Sequence, residues 1–377
     1  MIYLDNAATG GKKPIQVINA VNNALVNLCA NPGRSGHKGS INAAYAVYNA
    51  RKKIAEFFNA EKDENVCFTL NCTHSLNCVL KGVTRRGDHI IVSSLEHNAV
   101  MRPLEEMKRT MGITYDVADV SFNNDDETVE NFEKLINDRT RLIVCTNASN
   151  VLGVVLPVKR IGNLCRKYNI LFAVDGAQSA GTLRIDMQDM NIDYLCLAPH
   201  KSLYAPMGLG VLIADKPIET TIMQGGTGTD SVNLKQPDYL PEQIESGTIN
   251  LPAICGLSAG IDYINRIGID NIYRNEMQLL MYLYDGLSKN DKIILYTDRP
   301  TINRNVPVIS FNHKNYKSTQ TASMLSDKGI AVRAGLHCAP SAHRIIGTLP
   351  DGTVRVSLGN YVTKNDINYL LKTLKLF

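Results

Sequence analysis

The sequence predicts an α/β fold: a large domain built on a doubly wound, mostly parallel sheet, and a smaller α+β domain. Between about residues 64 and 215, short β-branched runs alternate with longer mixed segments, which is typical of βαβ units. Beyond about residue 290 the pattern changes to short strand-like runs around one helical segment. We therefore expect residues 15–255 to form the large domain, and residues 1–14 together with 256–377 to form the small one.

Each apolar run of the first region is short and rich in β-branched residues, as buried strands are. The predicted strands are Val66–Thr69, His89–Ser93, Thr140–Cys145, Ile170–Val174, Tyr194–Leu197 and Gly210–Ala214. The segments 128–135 and 161–167 between them read as helices. In such sheets ligands bind beyond the carboxyl ends of the strands, which directs attention to the polar residues that follow each run.

The second region begins with a long helical stretch from Gly256 through Arg274 to Leu287. Its predicted strands are Lys292–Tyr296, Val306–Phe311 and Gly352–Ser357, with a helix over Thr319–Lys328. The segment up to about residue 20 is expected to pack on this small domain or on a partner subunit.

Composition excludes several classes of protein. A chain of 377 residues with 44% hydrophobic and 20% charged residues fits a globular protein, and its net charge of +4 argues against a nucleic-acid binder. No apolar run approaches the length of a membrane span, and no basic-then-apolar leader is present. The nine cysteines include no C-x-x-C pair, so we expect no metal site and a cytoplasmic location. Those in apolar runs are expected to be buried and inert: Cys145, Cys165, Cys196 and Cys255.

The most informative pair of residues is Lys201 and Asp175, each at the end of an apolar run. Two parallel strands would bring both side chains to one edge of the sheet. A lysine that forms a Schiff base and an aspartate that pairs with a pyridinium nitrogen are what pyridoxal 5'-phosphate (PLP) requires. The alternative is a surface lysine and a helix-capping aspartate.

Other polar residues follow the remaining strands. Thr73 and His74, with Ser75, open a helical pattern and predict an anion site, although any capped helix looks similar. His97 could stack on a flat cofactor or be held by a loop carbonyl. Asn150 and Gln178 could both bind a phenolic oxygen, or merely shape their turns.

A second group of residues lies near the carboxyl end of the sequence. Cys338 stands between Gly335 and Pro340, outside any apolar run, so we expect it to be exposed on a mobile loop. The basic residues around it favour a reactive thiolate, and the alternative is a bystander surface thiol. Arg355 lies in a strand-like run, where it could bind a substrate carboxylate or be solvated.

Taken together, these motifs resemble the class V, fold-type I PLP enzymes, and among them the cysteine desulfurase/selenocysteine lyase family. The matching motifs run nearly from end to end: Tyr3–Thr9, Arg34–His37, Glu96-His97, Ser149–Gly153, Asp175–Gln178, His200-Lys201, Ser246–Asn250, Arg333–Cys338 and Arg355–Ser357. A cysteine at position 338 separates desulfurases from the related aminotransferases and kynureninases. Without a long insertion, the Cys338 loop resembles that of the group that usually needs a partner protein for full activity.

The resemblance implies a role for each residue. Lys201 would bind PLP covalently, Asp175 would keep the pyridine nitrogen protonated, and His97 would stack on the ring. The ring oxygen and the phosphate would be held by Gln178, Asn150, Thr73, His74 and His200, with Thr248 reaching the phosphate from the second subunit of a homodimer. Cys338 would take sulfur from L-cysteine as a persulfide for an acceptor protein, while the substrate would be held by Arg355, Arg333, Asn150 and His37.

Three positions depart from the family pattern: Ala198 where Ser or Thr is usual, His74 where Glu is common, and Leu336 where His is common. Phosphate binding could shift to the loop 225–230. A selenocysteine lyase, an aminotransferase or epimerase with an incidental Cys338, and a carrier without PLP chemistry remain alternatives. A dinucleotide-dependent dehydrogenase fits less well, because no G-x-G-x-x-G follows an early strand.

Overall fold

The computed structural model describes residues 1–229 and 231–377. The strands within them are β1 (Ile2–Tyr3), β2 (Val66–Thr69), β3 (His89–Ser93), β4 (Thr114–Ala118), β5 (Thr140–Thr146), β6 (Leu171–Asp175), β7 (Tyr194–Leu197), β8 (Gly210–Ala214), β9 (Ile293–Leu295), β10 (Val308–His313), β11 (Ile330–Ala331), β12 (Arg333–Gly335) and β13 (Thr353–Ser357). The helices are α1 (Ile15–Asn27), α2 (Lys38–Phe58), α3 (Cys72–Val83), α4 (Asn98–Met111), α5 (Asp125–Lys134), α6 (Val158–Tyr168), α7 (Leu251–Ile267), α8 (Ile269–Leu287), α9 (Ser318–Asp327), α10 (Pro340–Ile345) and α11 (Lys364–Leu374).

The large sheet has seven strands in the order β2-β8-β7-β6-β5-β3-β4. Strand β8 is antiparallel to both of its neighbours, and the other pairs are parallel, which confirms the mostly parallel sheet. All six strands predicted for it are present. The edge strand β4 was not predicted, because Thr114, Asp116 and Val117 are exposed and give it no apolar run.

Both faces of this sheet are covered, which is why its central strands read as continuous apolar runs. Successive residues alternate between two apolar clusters on opposite faces, as the pleat requires. Ile91 and Ile143 face the cluster around Phe58 and Phe172, whereas the residues beside them in β3 and β5 face the other cluster, which contains Ile90, Val92, Leu142 and Val144.

The predicted helix bounds all differ from the observed bounds by a few residues, and two of these differences have local reasons. Helix α5 begins at Asp125 because the Asn124 side chain accepts hydrogen bonds from the N–H groups of Asp126 and Glu127. The long helical stretch predicted from Gly256 to Leu287 is wrong as a single helix. Gly268 separates α7 from α8. Its φ of +89° is a backbone conformation that residues other than glycine rarely adopt.

The last third of the chain forms an antiparallel sheet in the order β12-β13-β10-β9. Residues 2–3 belong to a separate two-stranded sheet, in which β1 lies parallel to β11, and the packing expected for the rest of the N-terminal segment stays a prediction. A third apolar cluster containing Leu4, Phe311 and Val354 fills this region. Helix α7 contacts α1 and α2, and the predicted domain boundary near residue 255 stays a prediction. No helix in the described residues is long and apolar enough to cross a membrane.

Candidate active site

The carboxyl ends of β5, β6 and β7 place Asp175 at the centre of a polar cluster. Asp175 is the last residue of β6, is buried, and lies in register with Thr146 of β5 and Cys196 of β7. Its Oδ1 accepts a hydrogen bond from the N–H of Ala177 at 2.9 Å. The Sγ of Cys72, the first residue of α3, lies 3.6 Å from the same oxygen, so the start of α3 reaches this carboxylate.

Lys201 lies in the turn that follows β7. The turn is closed by hydrogen bonds from the Lys201 N–H to the Ala198 carbonyl at 3.1 Å and from the Tyr204 N–H to the Lys201 carbonyl at 3.2 Å. Burial lowers the pKa of the Lys201 amine, while the nearby Asp175 carboxylate opposes that shift. Lys201 is therefore more readily the neutral, nucleophilic amine than a surface lysine would be.

Residues 9–13 cover the His200-Lys201 turn. The His200 carbonyl accepts hydrogen bonds from the Gly10 N–H at 3.0 Å and from Lys13 Nζ at 2.8 Å. The ring Nδ1 of His200 lies 3.1 Å from Thr9 Oγ1. Burial, then the charges of Lys201 and Lys13, lower the pKa of His200 to about 4. A Cβ on Gly10 would lie 2.6 Å from the Lys201 carbonyl, so this close approach requires glycine.

The anion site predicted from the sequence would lie at the amino end of α3. Asn71 caps the helix by accepting from the His74 N–H at 2.9 Å, and the backbone N–H groups of Cys72 and Thr73 have no partner among the described residues. Thr73 is exposed and free to bind. Ser75 is not, because it is fully buried and its hydroxyl is bonded to Thr69 at 2.7 Å.

His97 caps α4 at the end of β3, where its Nδ1 accepts from the Ala99 N–H at 3.0 Å. Burial lowers the pKa of His97, and the positive charges of Lys201, Arg333 and Arg355 lower it further against the opposing effect of Asp175. The ring is therefore neutral at physiological pH, which suits a residue that stacks on a flat cofactor.

Cys338 lies on the four-residue connection between β12 and α10. Its carbonyl accepts from the Asn98 N–H at 2.7 Å, and the carbonyl of His337 accepts from Asn150 Nδ2 at 2.7 Å. Cys338 itself is exposed, and Arg333 Nη2 lies 4.0 Å from its sulfur. The backbone of Cys338 is thus held against the start of α4, at the residue that follows His97.

Two arginines face each other beside this thiol, since Arg333 and Arg355 are directly opposite in the β12–β13 ladder. Arg355 is 1% exposed and donates to the Asn150 carbonyl at 3.1 Å and to Asp5 Oδ1 at 2.8 Å. Its buried Nε has no hydrogen-bond partner among the described residues. Two guanidinium groups with an unused donor favour binding of a carboxylate.

Several residues predicted to bind the cofactor or the substrate have no described hydrogen bond to Lys201 or Asp175. Asn150 holds the Cys338 loop, and Gln178 Nε2 donates to the Ala7 carbonyl at 3.2 Å. Both His37, which caps α2, and Thr248 are exposed, and no described contact joins either of them to Lys201. In the loop 225–230, the Gly226 carbonyl accepts from Arg34 at 2.9 Å, and Asp230 lies outside the described residues. Their roles toward a ligand stay predictions.

Three contributors to the site were missed or given no role. Cys72 resembles an ordinary helix residue in sequence, and only its contact with Asp175 gives it significance. Asp5 and Glu96 stand in motifs noted above, yet the contact of Asp5 with Arg355 spans 350 positions. Glu96 is fully buried, and its Oε1 accepts from the Thr146 N–H at 2.7 Å. Cys255 also differs from expectation, since it is only half buried.

This combination of fold and site is that of the aminotransferase class-V family, and the chain belongs to that family, whose model matches residues 2–370. Members of this family generally use PLP. Two similar proteins are named probable cysteine desulfurase, from Halalkalibacterium halodurans (32% identical, covering 100% of this chain and 92% of that protein) and from Methanothermobacter thermautotrophicus (33%, covering 99% and 94%). Within the family, the chain therefore groups with the cysteine desulfurases.

Solved structures agree with this grouping. The apo cysteine desulfurase of Thermococcus onnurineus superimposes with a TM-score of 0.92 at 31% identity, covering 100% of this chain and 94% of that one. The S-sulfonic acid form of the cysteine desulfurase CsdA of Escherichia coli gives 0.88 at 27%, covering 99% and 94%.

Proposed function

We propose that this protein is a PLP-dependent cysteine desulfurase that converts L-cysteine to L-alanine and transfers the sulfur to Cys338. The observation that carries the proposal is the position of Cys338. Its turn is hydrogen-bonded to Asn98 and Asn150, and its sulfur lies 4.0 Å from Arg333 Nη2. A surface cysteine without a function would not be expected on a turn that is hydrogen-bonded to Asn98 and Asn150.

The residues at the sheet edge fit PLP in their chemistry. Asp175 would pair with the ring nitrogen, Lys201 would be the covalent attachment point, and the neutral ring of His97 would stack on the cofactor. The free N–H groups at the start of α3, with Thr73, are suited to the phosphate. When bound, PLP supplies an electron sink that weakens the bonds at the substrate Cα.

The arginines and the lysine have separate roles toward the substrate. The carboxylate of L-cysteine would bind Arg355 and Arg333, which fixes the side chain of the substrate near Cys338. The Lys201 amine, with its lowered pKa, would take the proton from Cα. His97 would remain neutral beside it.

The sulfur transfer is balanced without an added oxidant. The Cys338 thiolate attacks the substrate sulfur, the new S–S bond forms, and the Cβ–S bond breaks with its electron pair left on carbon. That carbon takes a proton and becomes the methyl group of alanine. The product on the enzyme is a persulfide at an exposed position, from which an acceptor protein or a thiol reductant can remove the terminal sulfur.

A homodimer is part of the proposal. Exposed apolar side chains are concentrated on α1 and α2, namely Ile15, Ile18, Leu25, Val26, Ile41, Tyr45 and Tyr48. Such a surface is typical of a subunit interface. The exposed Thr248 and His37 would then serve the site of the second subunit. The free cysteines of the described residues suit a reducing compartment, and we infer a cytoplasmic location.

The deciding experiment measures sulfide release from L-cysteine with excess reductant in wild type, Cys338→Ala and Cys29→Ala. Cys29 is also exposed and serves as the matched control. We expect wild type and Cys29→Ala to release sulfide and Cys338→Ala to release none while still binding PLP. Equal activity in Cys338→Ala would refute the role of Cys338, and three inactive proteins would direct the search to selenocysteine or to amino-group transfer.

A further inference from the structure

A cavity of about 520 Å³ lies between helix α8 and the segment that leads into α11. None of its lining residues belongs to the site of Cys338 and Lys201. Its wall combines apolar side chains with amides and a hydroxyl, namely Leu279, Val362, Asn275, Gln278, Asn360 and Thr363. Its volume is within the range of small-molecule sites.

Glu276 lines this cavity as an uncompensated acid. It lies in the buried face of α8 with 5% of its surface exposed, and its carboxyl group makes no hydrogen bond or ion pair with the described residues. A carboxyl group removed from water without a partner is costly, so an occupant that brings a matching donor would be favoured. Burial alone raises the pKa of Glu276 to about 8.

Lys364 provides the opposite charge in the same cavity. Its Nζ lies 4.6 Å from the centre of the Tyr282 ring, and it forms no ion pair with Glu276. A simple cation would be repelled by Lys364, and a simple anion would be repelled by Glu276 above about pH 8, where its carboxyl group is ionised. A molecule that carries both charges would satisfy the two groups at once.

We propose that this cavity binds a small zwitterionic amino compound, with its ammonium group on the Glu276 carboxylate and its acid group towards Lys364. The site lies outside the desulfurase chemistry proposed above, and its occupancy does not depend on that function. It is connected to Lys201 through the chain itself. Burial raises the pKa of the hydroxyl of Tyr204, three residues after Lys201, and the nearby charge of Glu276 raises that pKa further.

The protonation of Glu276 gives the proposal a distinctive pH dependence. The groups that face this region are Tyr204 from the Lys201 turn, Tyr263 from α7, Tyr361, Tyr282 and Lys364. Burial raises the pKa of Tyr204 and Tyr361, so Glu276 is the acid that titrates near pH 8. Binding of an ammonium group requires the ionised carboxylate and therefore releases a proton.

The test is calorimetric titration of the full-length protein with N,N-dimethylglycine. This zwitterion has a tertiary nitrogen and cannot form a Schiff base with PLP. We compare wild type with Glu276→Gln and with Lys364→Met. The control is Lys372→Met, because Lys372 is an exposed lysine on α11, the helix that also carries Lys364. Gln has the shape of the protonated glutamic acid, so Glu276→Gln is expected to fold normally.

We expect binding to weaken on the order of tenfold or more in Glu276→Gln and in Lys364→Met, and to be unchanged in Lys372→Met. Affinity for wild type should rise as the pH passes through about 8, and that rise should vanish in Glu276→Gln. The proposal is overturned if wild type does not bind the probe, if Glu276→Gln binds it equally well, or if the affinity of wild type does not change through this pH range.

Discussion

At the scale of single residues, Glu96 is a buried acid next to the residue proposed to stack on the cofactor. It is fully buried, one oxygen accepts from Ser93 and Thr146, and the other has no partner among the described residues. Burial raises its pKa from 4.5 to about 8 against the effect of those hydrogen bonds. The folded protein therefore holds this group in its neutral form at physiological pH.

Replacement of Glu96 by Gln is predicted to flatten the pH dependence of stability. Because the folded-state pKa of Glu96 is raised, its contribution is fully present below about pH 4.5 and is lost as the pH rises through about 8. Gln keeps the neutral shape and cannot ionise. Denaturant unfolding of the two proteins between these pH values should show the free energy of unfolding falling less steeply in Glu96→Gln. Identical slopes would show that Glu96 is already ionised in the folded protein.

Asn150 is predicted to control the mobility of the Cys338 turn. Its side-chain amide donates to the His337 carbonyl, and Asn150→Ala removes this bond while leaving the backbone contact with Arg355. We expect faster hydrogen exchange at the Asn98 amide, which is bonded to the Cys338 carbonyl, and slower sulfide release.

The matched control is Asn163→Ala. It removes the exposed side-chain hydrogen bond that Asn163, on α6, accepts from Asn191. It should change neither quantity. Unaltered exchange at Asn98 in Asn150→Ala would mean that the turn is held by its other contacts.

The sequence alone could predict those candidate residues whose importance follows from their own type and from their immediate neighbours in the chain. Lys201 and Asp175 follow from residue type and from their place at the end of an apolar run, and Cys338 follows from its place outside any such run. Asp5 and Cys72 did not, because their importance comes from contacts with residues far away in the chain. The role of Asn150 toward the ring oxygen stays a prediction, and the contact of its amide with the His337 carbonyl could not be predicted because it spans 187 positions.

At the scale of secondary structure, Gly260 determines how closely α7 approaches the Lys201 turn. A Cβ at position 260 would lie 2.1 Å from the Leu203 carbonyl, which is a backbone atom that cannot rotate away. Gly260→Ala is predicted to destabilise the protein by about 1–3 kcal/mol, as overpacking does, and to weaken PLP binding by displacing the turn. Thermal unfolding and absorbance titration with PLP measure the two effects.

Gly39→Ala is the control on a helix where space exists, since its nearest contact would be 3.4 Å. Alanine favours a helix over glycine by about 1 kcal/mol, so this variant should be no less stable than wild type. Normal stability and PLP affinity in Gly260→Ala would show that α7 shifts without disturbing Lys201.

The elements predicted well are those buried on both sides, because burial leaves a continuous apolar run in the sequence. Strand β4 has exposed side chains and left no such run. The break at Gly268 was missed because the apolar pattern continues across it, and only the φ of that glycine separates α7 from α8.

At the scale of the whole molecule, the exposed apolar faces of α1 and α2 are predicted to join two subunits. Leu25→Glu with Tyr45→Glu would place charges on side chains that are 60% and 63% exposed in the single chain. We expect this variant to sediment as a monomer and to lose sulfide release, since Thr248 would no longer meet a second subunit.

Tyr369→Glu alters an exposed tyrosine on α11, outside this face, and should leave the assembly unchanged. A wild-type protein that sediments as a monomer at all concentrations would contradict the homodimer. The mass of the assembly could not be predicted from composition, because exposed apolar residues become visible only after folding.

The pairing of β1 with β11 and of Asp5 with Arg355 has a consequence for the synthesis of the protein. Residues 2–5 leave the ribosome before their partners at 330–355, which are translated about 330–350 residues later. At about 5–20 residues per second, that interval is on the order of tens of seconds. Once residue 214 has been translated, the large sheet can form, whereas Arg355, the arginine proposed to bind the substrate carboxylate, has not yet been made. The nascent chain therefore passes through a stage in which Lys201 is present and Arg355 is not.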